Sequence, residues 1–123
     1  MANPNIINAT SILGKTVYDA DISNTASELL ENAASSNKVL KINSLIIANI
    51  DGTNSADITV TIRNAAGGTT YSHLAHTISV PADATLVVIS KDTSIYLEED
   101  RSIYLQASVA SDLSATCSYE EIS

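Results

Sequence analysis

Between residues 57 and 63 polar and apolar side chains alternate: Ile58, Val60 and Ile62 on one side, Thr59 and Thr61 on the other. A period of two is that of a half-buried strand. Short runs rich in β-branched residues recur at residues 6–13, 15–22, 38–50, 70–80, 86–89, 94–97, 103–109 and 114–122. Turn signals separate them roughly every ten residues, the pattern of an all-β sandwich or barrel. The expectation is a single antiparallel β-sandwich, jelly-roll or immunoglobulin-like, of about eight strands, occupying residues 1–123 as one domain.

The interruptions carry information too. The first run closes at Gly14 and the second at Ser23-Asn24. These weakly patterned first 22 residues read as an N-terminal arm or as edge strands. In residues 38–50, Leu40 and Ile42 share one face, then Leu45 and Ile47 share the other. That phase slip near Asn43-Ser44 predicts a bulge or bend. Asp51 to Ser55, the Ala65-Ala66-Gly67-Gly68 stretch and Pro81-Ala82-Asp83 read as turns. Residues 25–34 are ambiguous. Thr25 and Glu28 match a helix capping box, but Asn32 and Ser35-Ser36-Asn37 leave barely two turns, so the segment reads as a strand or extended arm.

The tetrapeptide Ser-Ile-Tyr-Leu occurs twice, at residues 94–97 and 102–105, around Glu98-Glu99-Asp100-Arg101. A hairpin that sets Leu97 against Ile103 also sets Tyr96 against Tyr104 and Ile95 against Leu105, pairing like with like. Glu99, Asp100 and Arg101 would then form its tip, with Asp tolerating the left-handed conformation such a tip needs. Calcium is not expected there, because adjacent carboxylates at a strand end point apart.

Other candidate chemistry is thin. A net charge of −8 with six basic residues argues against nucleic acid and against an anionic membrane surface. No apolar run is long enough to cross a membrane as a helix, and the start lacks a secretory pattern, which implies synthesis in a cytosol. The single cysteine, Cys117, reads as a small apolar strand residue. There is no Trp and no Phe, so aromatic ligand platforms are scarce unless the five tyrosines gather on one face. His73 and His76 lie three apart. On a regular strand they face opposite ways, and a joint zinc site needs a bulge or a neighbouring chain. The Asp51–Asp57 stretch lacks the spacing of a calcium loop. No nucleophile, zinc-protease or phosphate-loop motif is present, and no catalytic carboxylate pair stands out among the fourteen acids. The expectation is a protein that is not an enzyme, with no catalytic, cofactor-binding or metal-binding residues and no cofactor.

Taken in order, Asn49-Ile50-Asp51-Gly52, Val80-Pro81-Ala82, Tyr96 to Asp100, Ala107-Ser108 and Ser118 to Ile122 form a series. It resembles small all-β virion structural proteins, of the capsid decoration or cement kind, from marine tailed bacteriophages. The resemblance covers residues 38–123 and, more loosely, the N-terminal part. It departs at Asp100 and Arg101, where the family-like turn has Gly and Asp.

This resemblance implies a phage virion protein assembled in the host cytoplasm, in the first place a capsid decoration protein. Its partners would be the major capsid protein or other virion proteins. It would be a homo-oligomer, a trimer by analogy. A place at the neck, tail or fibre is the alternative location. A receptor- or carbohydrate-binding module, suggested by the fold and by a Tyr96–Tyr104 pair, is the alternative class.

Overall fold

The structure is a computed structural model that describes residues 4–64 and 71–123. Its strands are β1 (Ile12–Asp19), β2 (Ser27–Asn32), β3 (Val39–Asn49), β4 (Ala56–Asn64), β5 (Tyr71–Val80), β6 (Thr85–Ile89), β7 (Ile95–Leu97), β8 (Arg101–Ala107) and β9 (Leu113–Ile122). Two 3-10 turns, Ile6–Asn8 and Lys91–Thr93, precede β1 and separate β6 from β7. One sheet has the order β1-β9-β3-β6, with β7 beside β3 in line with β6. The second has the order β2-β8-β4-β5.

All ladders are antiparallel, and the pairs β1·β9, β2·β8, β3·β6/β7 and β4·β5 describe a ribbon folded back on itself and rolled up. That arrangement is the jelly roll, one of the two sandwiches the strand spacing allowed. The turn expected at residues 65–68 lies outside the described residues.

The facing sheets enclose an aliphatic core. Ile42, Leu45, Ile47, Leu113 and Cys117 come from the first sheet, and Ile58, Val60, Ile103 and Leu105 from the second; all are fully or almost fully buried. The slip in β3 is a bulge. Ile42 faces Tyr119 and Ser44 faces Ser118, so Asn43 is the extra residue. Leu40 and Ile42 are thereby buried together with Leu45 and Ile47, where strict alternation would have sent the second pair to the other face.

Three expectations are corrected. The strand placed at residues 6–13 does not end at Gly14. Residues 6–8 form a 3-10 turn capped by Asn5, whose Oδ1 accepts from the Ile7 amide at 3.0 Å. Strand β1 then runs through Gly14 to Asp19 because eight consecutive residues pair with β9, and Gly14 sits within that ladder opposite Glu120. The run expected over residues 15–22 accordingly stops at Asp19, and Ile22 enters the core from a loop held by its amide on the Leu113 carbonyl at 2.9 Å.

The hairpin expected over the repeated tetrapeptide does not form. Ile95, Tyr96 and Leu97 pair with Ile42, Lys41 and Leu40 in the first sheet. Ile103, Tyr104 and Leu105 pair with β2 and β4 in the second. The intervening residues arch from one sheet to the other. Each copy of the tetrapeptide turns its Leu into the core, so both sheets make the same demand on the same sequence. The left-handed residue is at Asp100, φ 62°, and its amide donates to the Asn32 carbonyl at 2.8 Å.

Candidate functional site on the outer face of the second sheet

A shallow groove of about 280 Å³ lies on the face of β4, β5 and β8 that turns away from the core; Arg63, Tyr71, His73 and His76 are among its lining residues. Thr61, expected to point outward, does so, yet it is only 2 % exposed. The Arg63 side chain folds along it, and Arg63 Nε donates to Thr61 Oγ1 at 3.0 Å. The Arg63 guanidinium carbon lies 4.5 Å from the ring centroids of both Tyr71 and Tyr104. Stacking between two rings fixes the orientation of an otherwise flexible cation.

His73 and His76 meet here, contrary to the expectation that their spacing separates them. Strand β5 carries two irregularities against β4. Ile58 faces Ile78 and Val60 faces Ala75, so one extra residue sits between; Thr61 then faces His73, which adds a second. Only the second of these, Leu74, lies between the two histidines, and that single extra residue reverses the side-chain alternation from one to the other. Thr77 holds a left-handed φ of 47°, and its amide donates to Thr59 Oγ1 at 3.1 Å. The two imidazole centroids end 4.6 Å apart, with ring planes at 75°. Tyr71 abuts His73 edge to face at 5.4 Å.

The other sequence candidates do not gather into a site. Tyr96 lies on the first sheet and Tyr104 on the second, which removes the paired platform. Tyr71 and Tyr104 do share a face, but Arg63 occupies the space between their rings. Asp51 builds its own turn: Oδ1 accepts from the Thr53 amide at 2.8 Å and Oδ2 from Asn54 Nδ2 at 3.2 Å. These bonds, the Thr53 amide foremost, hold its carboxyl below the usual range. Cys117 is fully enclosed, and burial pushes its thiol up to about 12. Among the described residues no group of three or more His, Cys, Asp or Glu is placed to hold a metal ion, and no helix is long and apolar enough to cross a membrane.

A different feature, which the sequence pattern left as weak signal, is the free edge of the first sheet. Among the described residues, strand β1 pairs on one side only, with β9. Ile12 and Leu13 are 57 % and 49 % exposed, and Ile7 in the preceding 3-10 turn is 91 % exposed. Apolar side chains on a strand with an open ladder form a surface suited to another polypeptide.

No protein-family model matches the chain, and no curated protein matches it. Among solved structures, it is similar to a chain from work on Bacillus endospore appendages, described as a novel family of disulfide-linked pili. The two are 17% identical and superpose with a TM-score of 0.50 over 100% of this chain and 96% of that one. At this identity the likeness supports the all-β sandwich fold and nothing finer.

Proposed function

We propose that the chain is a non-enzymatic structural protein of a tailed-phage virion, in the first place a decoration or cement protein on the lattice of the major capsid protein. The observation that carries this reading is the exposed apolar edge formed by Ile7, Ile12 and Leu13. An open strand edge offers backbone hydrogen bonds, and the exposed Ile12 and Leu13 side chains at its start offer apolar anchors, a combination suited to strand addition between separate chains. The small aliphatic sandwich supplies a rigid support for that edge. The ordered series from Asn49-Ile50-Asp51-Gly52 to the C-terminal Ser118–Ile122 segment supports the virion class, and the net charge of −8 keeps such a protein soluble until it meets its lattice.

Binding then rests on buried area and polar complementarity and needs no catalytic group. A trimer follows by analogy with capsid decoration generally. The similar pilus chain also belongs to an assembled structure, but its disulfide linkage has no counterpart at Cys117, which is buried.

The reading is tested by mass spectrometry of purified virions together with the solution mass of the isolated chain. Recovery in fixed copy number with the major capsid protein supports it. Absence from purified particles while abundant in the lysate contradicts it. Recovery with detached tails would keep the structural class and move the location to the neck, tail or fibre.

A further inference from the structure

We propose that His73 and His76 together chelate one divalent transition-metal ion, of the Zn²⁺, Ni²⁺ or Cu²⁺ class, in the groove on the outer face of the second sheet. Imidazole favours these ions over Mg²⁺ or Ca²⁺. Two imidazoles on one tetrahedral ion, at metal–nitrogen distances of about 2.0–2.1 Å, set their centroids about 5 Å apart. The ring centroids here are 4.6 Å apart, close to that separation.

The backbone argues the same point. A three-residue spacing on a regular strand divides the rings between faces. Strand β5 inserts one extra residue, Leu74, between the histidines, and just beyond them a second irregularity places β-branched Thr77 at a left-handed φ, a conformation such residues rarely hold. A bulge that served only to blunt the edge strand would do so with any side chains. This one brings together the two histidines of the chain. Both histidines are exposed and line the groove, so water completes the coordination of an ion held there.

The test is calorimetric titration of the untagged chain with Zn²⁺ alone, alongside the histidine ring resonances by NMR. With no further histidine and with Cys117 buried, competing soft ligands are few. The expected result is one ion per chain, both imidazoles shifting together, and a loss of affinity of about tenfold or more in each of His73→Ala and His76→Ala, because either change converts chelation into single-point binding. Both side chains are exposed, so the variants keep the fold, and metal-free melting curves check this. No heat of binding and no ring shifts at about 1 mM Zn²⁺, or single variants that lose less than about tenfold, would overturn the proposal.

Discussion

Asn32 holds Leu97 across 65 positions of the chain: its buried side-chain amide donates to the Leu97 carbonyl at 2.9 Å and to the Lys38 carbonyl at the same distance. Its backbone carbonyl accepts from the Asp100 amide. One residue at the end of β2 therefore fixes both the crossing into β3 and the arch between β7 and β8. Asn49 repeats the device at the end of β3, where Nδ2 donates to the carbonyls of Asn54 and Val80 at 2.9 Å each. In a rolled ribbon the chain changes sheet at most of its connections, and each crossing leaves backbone carbonyls without a ladder partner. A buried amide with two donors satisfies two of them.

Replacing Asn32 by Leu leaves the buried Leu97 carbonyl and the part-buried Lys38 carbonyl without this donor. The expected loss is about 2–4 kcal/mol, since each unsatisfied buried acceptor costs about 1–3 kcal/mol. A denaturant midpoint measured at unchanged m-value checks it. A change below about 0.5 kcal/mol would mean that the amide is not what closes the arch.

Asp100 sits at φ 62°. Asp100→Val should cost about 1–2 kcal/mol, the penalty of a left-handed backbone for an ordinary side chain. Asp100→Gly should leave stability within about 0.5 kcal/mol, because relief of strain and loss of chain stiffness oppose each other. Thermal unfolding of the two variants side by side separates backbone conformation from any role of the carboxylate.

Cys117 should resist alkylation in the native protein at pH 8 and react fully once the chain is unfolded. Its thiol is buried and, at about 12, is held well above the pH of the assay. Mass spectrometry after iodoacetamide treatment reads the outcome directly.

Glu121 accepts hydrogen bonds from Lys15 at 2.9 Å and pairs with Lys38 at 3.0 Å, linking β1, β9 and the approach to β3. The bond from Lys15 foremost, then that from Lys38, holds its carboxyl below the usual range. A lowered folded value stabilises above the unfolded carboxylate range and is lost as pH falls through the folded value. The Tm advantage of the native chain over Glu121→Gln should therefore be present at pH 7 and close below about pH 4. High salt should shrink it as well, because both lysines are partly exposed. Lys15 is raised by the same partner, so its share persists through neutral pH and fades only as strongly alkaline pH passes its raised value.

The strands with one face in the core were legible in the sequence because burial there imposes a period of two. Strand β4 shows this, and the slip at Asn43 was visible for the same reason: it is where the period breaks. The fate of the repeated tetrapeptide was not legible. Like-with-like pairing of Ile95, Tyr96 and Leu97 with Leu105, Tyr104 and Ile103 suits a hairpin. Two sheets that each want Leu inward suit an arch equally well. Only the long-range pairing of β7 with β3 decides between them.

The His73–His76 meeting was hidden for a similar reason. Extra residues in β5 are defined against β4, and no residue type at positions 74–77 announces them. A turn-forming Gly or Asn at position 77 would have been a signal; Thr is the reverse of one. The apolar edge at Ile12 and Leu13 showed in the sequence as apolar residues, but which edge of which sheet they would occupy depended on β9.

Electron cryomicroscopy of the proposed virion is the most direct test of the chain's assignment to a phage particle. The expected result is sandwich-shaped density on the head surface, with β1 and the 3-10 turn at Ile6–Asn8 pressed against a neighbouring chain and Ile7, Ile12 and Leu13 buried there. A virion map in which no density fits the sandwich, or in which that edge faces open solvent at every copy, would contradict it.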